Sequence, residues 1–469
     1  MHTGRARAAA LDRPFSWDCA MSRTFDLEIE KVIKNGLGLG RMTDGQVVMV
    51  PRTLPGEKVR VRSRRRHKQY QEAELIEVLA ASAHRIEPAC PVYAACGGCD
   101  YQHVEYSEQL RLKNGILAET FIRSGLIQES QIADLMAPPL ASPQVLAYRQ
   151  RIRLQVEEGR IGFFGRESHR LVPVRQCPLA GKTSNRLLGE LAGNARFLKL
   201  MAHADALEIL ENPERGEALF LIHLQRKSRP ADHQAAQSLC AELPLLAGVV
   251  FSAAGLSVGP CFTGSGEVLL SELRLAFFLP EGLCGKDLRL SLEPGGFCQV
   301  NLKQNENCIR QLLDWVRERP PSRVLDLFCG MGNFSLPLAL MGCRVSGMDQ
   351  QRSTIRSATI NAQEAGVADL CSFSRESALD AAKRLLAAGR TFDLILLDPP
   401  RSGCADLIPL LPGLGAGQIV AVSCDPATLA RDLTGLTAAG YSLRQVRMVD
   451  MFPQTAHQET MVLLGREGN

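Results

Sequence analysis

Between residues 322 and 424 four strongly apolar runs recur: SRVLDLFCG, CRVSGMDQ, FDLILLDPPRSG and IVAVSCDP. Each is stopped by an acid, a glycine or a proline, and stretches of helical composition separate them. A strand that alternates polar and apolar residues can face water on one side, whereas a run apolar at nearly every position must be covered on both faces. The pattern therefore predicts a doubly wound α/β sheet of parallel strands with helices on both sides. Such sheets bind their ligands beyond the carboxyl ends of the strands, so the residues that stop the runs are where chemistry is expected.

The first run ends in DLFCGMGNF, with Gly330 and Gly332 for a tight turn. No phosphate-cradling G-x-G-x-x-G is present, which points to S-adenosylmethionine (SAM) rather than a nicotinamide dinucleotide. Asp349 stops the second run 23 residues after Asp326 and is placed to accept from ribose hydroxyls. Asp398, in DPPRSG, is expected to hold substrate or cofactor near the methyl group, the plainer reading being a helix cap. Cys424 follows the fourth run, with Asp425 as a natural N-cap and Pro426 suited to the first helical position. A thiol there faces a helix N-terminus and is expected to have a lowered pKa; the alternative is an ordinary buried strand-end cysteine.

A methyltransferase gains from a thiolate when its target is carbon 5 of a pyrimidine, which is too weak a nucleophile to attack a sulfonium methyl. Addition of sulfur at carbon 6 turns carbon 5 into an enolate carbon, and a base must later remove the carbon 5 proton. The C-terminal run MFPQTAHQETMVLL offers Glu459 as that base, with His457 as competitor.

The rest of the chain reads differently. Short alternating segments from Thr24 to Val78, punctuated by glycine turns, predict a small oligonucleotide-binding type of β-barrel. Residues 1–80 carry 15 Lys/Arg against 10 Asp/Glu, while the whole chain is only +4, so the basic excess is N-terminal and suggests a polyanionic partner. Cys90, Cys96 and Cys99 form a C-x5-C-x2-C spacing, and the next cysteine is Cys177 in a Cys-Pro context. Four thiolates on unequal loops suit an iron–sulfur cluster, with Gly97 and Gly98 admitting close backbone approach; zinc and simple packing stay open. Arg149, Arg151 and Arg153, two apart, share one strand face and are expected to lay down a nucleic-acid track. Residues 185–290 give mixed helix and strand signals of an α+β scaffold.

With 45% apolar residues over 469, several cores are expected. The boundaries are a disordered tail at 1–22, with Met21 as an alternative start, a barrel at 23–82, a central α+β domain with the cysteine motif at 83–290, and the SAM-dependent domain at 291–469. No stretch of 18 apolar residues occurs, and the fifteen cysteines fit a reducing compartment, so a cytoplasmic protein without membrane association is expected.

Taken together, FCQVN (297–301), DLFCGMGNF, LLDPPRSG, VSCDPATLARD and DMFPQTAHQETM closely resemble the SAM-dependent uracil-5 methyltransferases of RNA. The presence of both a TRAM-type barrel and the cysteine motif resembles the branch acting on 23S rRNA, since the transfer-RNA relative lacks both and a shorter rRNA relative lacks the barrel. The resemblance implies a nucleophile at Cys424, a base at Glu459, SAM contacts at Gln299, Phe328, Asn333, Asp349, Ser377 and Asp398, and a [4Fe-4S] cluster on Cys90, Cys96, Cys99 and Cys177. It also implies 23S rRNA as partner and a monomeric enzyme that unstacks its target base. Two positions depart from the family: Asp349 stands where glutamate is usual, and Ser377, beside Glu376, stands where asparagine is expected. The alternatives are methylation of another RNA, methylation of an exocyclic amine, and a non-catalytic RNA-binding iron–sulfur protein.

Overall fold

The computed structural model describes residues 23–253 and 258–466; the expected tail and the alternative start lie outside the described residues. The chain divides into two compact units, the first ending at Arg85 and the second beginning at Ile86.

The first unit is a closed barrel of Thr24–Ile33, Leu37–Arg41, Val47–Pro51, Lys58–Arg66 and Tyr70–Ala80, in the order first, second, third, fifth, fourth. Alternation drives it: Val59 and Val61 point into a core with Leu27, Ile29, Val48 and Val50, and Arg60 and Arg62 point out. A Cβ on Gly40 would lie 2.3 Å from the Glu28 carbonyl oxygen, so the strand LGLGR needs glycine where it crosses its neighbour. Arg60 is paired with Asp26 (2.9 Å) and Glu77 (3.2 Å), whereas the run that follows it is exposed. Glu57, fully buried, accepts from Arg85 at 2.5 and 2.7 Å and ties the chain's exit to the barrel.

In the second unit an eight-stranded sheet runs Cys371–Arg375, Arg344–Asp349, Arg323–Asp326, Leu394–Leu397, Gln418–Ser423, Glu459–Arg466, Tyr441–Val449, Met136–Leu140. Its first five strands are parallel, as the four apolar runs predict, and Arg323–Asp326 lies at the point where the strand order reverses. The last strand of that order comes from well before residue 291. Met136–Leu140 lies beside Tyr441–Val449, with Met136 opposite Val446. The helix Tyr106–Arg123 places Leu117 and Phe121 in the same core as Leu325, Ile395 and Ile419. Tyr441–Val449 would otherwise end the sheet as an open apolar edge, and a segment from 300 residues earlier covers it.

The central scaffold is thus built between these two contributions. Its eight strands run Gly266–Val268, Cys261–Thr263, Leu246–Ala253, Glu217–Leu224, Ala204–Asn212, Arg151–Glu157, Arg160–Phe164, Leu171–Pro173. Helices Lys182–Leu191, Ala195–Met201 and Pro230–Glu242 pack on it through Leu187, Leu200 and Leu239. Of the three arginines, Arg153 keeps 52% of its side chain exposed and Arg151 27%. Arg151 and Arg153 both donate to Glu208 (2.5 and 3.0 Å), on the neighbouring strand and almost fully buried. Burial alone would raise the Glu208 carboxyl, but hydrogen bonds from His223 and Arg151 carry it down to about 2. One carboxylate thus offsets part of the charge of the two guanidinium groups. No helix among the described residues is long and apolar enough to cross a membrane.

Candidate active site

The turn after the first strand of the catalytic sheet is set by Asp326. It is buried, accepts from the Ser335 hydroxyl (2.6 Å) and the Phe328 N–H (3.4 Å), and folds DLFCGMGN back over the strand end. Burial pushes this carboxyl up to about 6 against the pull of those two donors. Gly332 takes φ +91°, and a Cβ there would also meet the Leu336 side chain at 2.9 Å. From the next strand Asp349 accepts from the Gly330 N–H (3.2 Å) and the Gln351 N–H (2.8 Å), which fixes its carboxylate at the sheet's switch point.

Beyond these strand ends opens a cavity of about 540 Å3. Six expected site residues line it: Gln299, Phe328, Asp349, Asp398, Cys424 and Glu459. Two do not. Asn333 exchanges paired amide hydrogen bonds with Asn305 (2.7 and 2.9 Å). Ser377 caps the helix Ala378–Ala387, accepting from the Asp380 N–H at 3.0 Å and donating to its carboxylate at 2.6 Å. Its neighbour Glu376 lines the cavity instead, held by Ser374 (2.6 Å) and Arg384 (2.6 Å), and the Arg384 bond keeps its carboxyl below the usual range.

Cys424 lies between the strand Gln418–Ser423 and the helix Pro426–Ala438. Its thiol is not activated as expected. Burial pushes it above its ordinary value and so does Glu459; the positive charge of Arg401, which lines the same cavity, pulls the other way. The helix N-terminus contributes little because Asp425 already accepts from Ala427 and Thr428 (2.9 and 3.0 Å), so a carboxylate sits on the donors that would have favoured a thiolate. Glu459, the first residue of its strand and buried, is held well above the ordinary carboxylate range by burial and by Asp398, with Arg401 opposing. Asp398 is raised likewise, by burial and by Asp326. Sulfur, two carboxyls raised above their ordinary range and one guanidinium thus line a single space. Arg401 was not singled out from the sequence; its signal was only its place directly after the strand-ending Asp-Pro-Pro. Phe297, 58% exposed, and Phe452 also line the cavity. His457, whose ring packs edge-on to Phe452, does not.

Cys90, Cys96, Cys99 and Cys177 line a second cavity, of about 200 Å3, together with Arg149. The Gln102 amide donates to the Cys99 sulfur (3.2 Å) and the Gly98 N–H to that of Cys96 (3.4 Å). No carboxylate lines this space. Burial pushes the Cys99 thiol up to about 12, and Cys90 and Cys96 are raised for the same reason. Gly98 borders the cavity, but the close approach at Gly97 is to protein: its N–H donates to the Phe164 carbonyl (2.9 Å), from which an added Cβ would be 3.0 Å away. Among the described residues no three His, Cys, Asp or Glu side chains converge closely enough to hold a single metal ion.

Three comparisons bear on this geometry. The tRNA (Uracil-5-)-methyltransferase family pattern matches residues 281–467, and the TRAM domain pattern matches residues 22–76. A 23S rRNA (uracil(1939)-C(5))-methyltransferase RlmD of Halomonas elongata is 34% identical over 452 residues, 94% of this chain and 89% of that protein. The protein of the same name from Alkalilimnicola ehrlichii is 33% identical, covering 94% of this chain and 97% of its own. Among solved structures, the Pyrococcus abyssi tRNA (uracil-54, C5)-methyltransferase in complex with S-adenosyl-L-homocysteine superimposes with a TM-score of 0.70 at 23% identity, over 93% of this chain and 99% of its own.

Proposed function

Because this chain belongs to the 23S rRNA (uracil-C5)-methyltransferase family, we propose that Cys424 and Glu459 carry out its SAM-dependent methylation of uridine through a covalent protein–RNA intermediate. The observation that carries this reading is that sulfur, buried carboxyl and guanidinium share one cavity with Asp349 and Phe328.

Bound in this cavity, SAM supplies an electrophilic methyl group. Asp349 keeps lone pairs free to accept from a ribose diol, because its two oxygens take only the Gly330 and Gln351 N–H groups. Phe328 offers a flat apolar wall, and Gln299 adds an amide to the lining. The Cys424 thiol loses its proton to solvent, its sulfur adds to carbon 6 of the unstacked uracil, and the displaced electron pair makes carbon 5 nucleophilic. Once carbon 5 has taken the methyl, Glu459 removes its proton, the electron pair re-forms the 5,6 double bond, and the carbon 6–sulfur bond breaks. A carboxylate with a raised pKa is a stronger base than an ordinary one, which suits Glu459 to this step. Arg401 offsets negative charge on the sulfur at both ends of the cycle.

The relatives are named for uracil 1939, and the corresponding uridine is our proposed target. The barrel's exposed Arg62, Arg65 and Arg66 are suited to phosphate contacts. The fourteen described cysteines are all free, which supports a cytoplasmic location.

Cys90, Cys96, Cys99 and Cys177 are assigned to a [4Fe-4S] cluster. Supporting this are four thiols spread around one space rather than drawn to a point, N–H···S bonds, the guanidinium of Arg149, and no competing carboxylate. A bound cluster would supply a crosslink between the 90–99 segment and Cys177. Stoichiometric iron and sulfide in brown, anaerobically purified protein is expected; colourless protein with stoichiometric zinc would overturn the assignment.

For the activity itself, SAM labelled in its methyl group is incubated with unmodified 23S rRNA and the nucleosides are analysed. Labelled 5-methyluridine at one position is expected. Label on an exocyclic amine, retained with Cys424→Ala protein, would overturn the mechanism.

A further inference from the structure

The loop 450–458, between the strands Tyr441–Val449 and Glu459–Arg466, carries Phe452 into the reaction cavity and delivers the chain to Glu459. Four consecutive carbonyls of this loop accept from outside it. Met451 accepts from Asn301 (3.3 Å), Phe452 from the buried Lys113 ammonium (3.1 Å), Pro453 from the Tyr148 hydroxyl (3.0 Å), and Gln454 from the N–H groups of Asp100 and Tyr101 (3.0 and 2.9 Å). Lys113 also holds Asp450 (2.6 Å), and the Asp100 carboxylate accepts from the Ala456 N–H (2.8 Å).

At the centre lies Gln454, a non-glycine residue in the left-handed region with φ +68°. Such a backbone persists only where its surroundings over-determine it. Gln109, on the helix Tyr106–Arg123, supplies much of that determination. Its Oε1 accepts the Gln454 N–H (3.0 Å) and its Nε2 donates to the Gln454 side chain (3.0 Å), while the same Nε2 grips the Tyr101 and Val104 carbonyls (3.2 and 2.9 Å). The loop is therefore locked to the segment that directly follows Cys99.

We infer that Gln109, through its paired bonds to Gln454, is a positioning residue for the elimination step, holding the loop so that the Glu459 carboxylate meets the carbon 5 proton. The inference rests on the roles proposed above for Cys424 and Glu459. Cys424 is carried by a different strand end and by its own capped helix, so loosening the loop leaves sulfur addition and methyl transfer in place. What suffers is proton removal, and the methylated covalent intermediate accumulates.

The test uses the full chain, purified anaerobically, with ordinary uridine RNA in single-turnover reactions resolved on denaturing gels. Gln109→Ala is expected to lower kcat roughly tenfold, a fraction of what a general base contributes, with KM for RNA and SAM little changed and a covalent protein–RNA band that wild-type protein does not build up. Gln454→Gly removes the side-chain half of the lock while making the left-handed backbone unstrained, so it keeps the fold and should show the same band. Addition and release slowed in step, a change in KM alone, or wild-type behaviour in both variants would overturn the inference. If wild-type protein forms no adduct at Cys424 with 5-fluorouridine RNA, the underlying mechanism fails instead, and the two failures are told apart.

Discussion

Cys424 meets its substrate as a thiol rather than as a preformed thiolate. Burial and Glu459 raise it, and both groups must lose protons to act, so the single-turnover rate should climb with pH through neutrality. The positive charge of Arg401 opposes this rise at both groups. Arg401→Gln should therefore move the ascending limb of the pH–rate profile to higher pH, costing about tenfold in rate at neutral pH for each unit moved; an unmoved limb would show that Arg401 does not act on the sulfur. Asp349→Ala should raise the KM for SAM by roughly 10- to 100-fold, the range for one hydrogen bond to a charged group, with RNA affinity unchanged. These residues were legible in the sequence because the doubly wound pattern announces strand ends, and Asp349, Asp398 and Cys424 stop three of the runs. Arg401 was not, because only the folded chain shows which side chain past Asp-Pro-Pro turns toward the sulfur. Ser377 was transferred from a family position, and its hydroxyl caps a helix where a longer amide would reach outward.

At the level of elements, the glycine turn is the part least tolerant of change. Gly332→Ala puts an L-residue at φ +91° and a methyl against Leu336, and should destabilise the protein by about 1–3 kcal/mol. Thermal unfolding and the KM for SAM should move together, since this turn shapes the cavity wall. The parallel strands were readable because they are apolar at nearly every position. The edge strand MAPPL was not: it is short and carries two prolines, a composition tolerated at a sheet edge but one that argues against a strand when read alone. The pairing of Arg151 and Arg153 was hidden for a related reason. Spacing places side chains on one face of a strand but cannot reveal a buried glutamate on the neighbouring strand, and both donate to Glu208.

Across the whole molecule, the barrel and the catalytic unit divide the labour of holding RNA and transferring a methyl group. All residues lining the reaction cavity belong to the unit that begins at Ile86, so protein lacking the chain through Arg85 should bind SAM with unchanged affinity. Its RNA affinity should fall, and so should the salt dependence of that affinity, because each lost phosphate contact takes about one counterion from the slope. Equal salt slopes for full-length and truncated protein would argue against RNA contacts by the barrel. The central claim, that Cys424 bonds to the uracil before the methyl arrives, is tested most directly by intact-mass spectrometry of protein, SAM and an RNA carrying 5-fluorouridine at the target. A fluorine at carbon 5 cannot leave as a proton, so one methylated protein–RNA adduct, mapping to Cys424 and lost in Cys424→Ala, is expected. Full methylation of ordinary uridine by Cys424→Ala protein, or an adduct at any other residue, would contradict it.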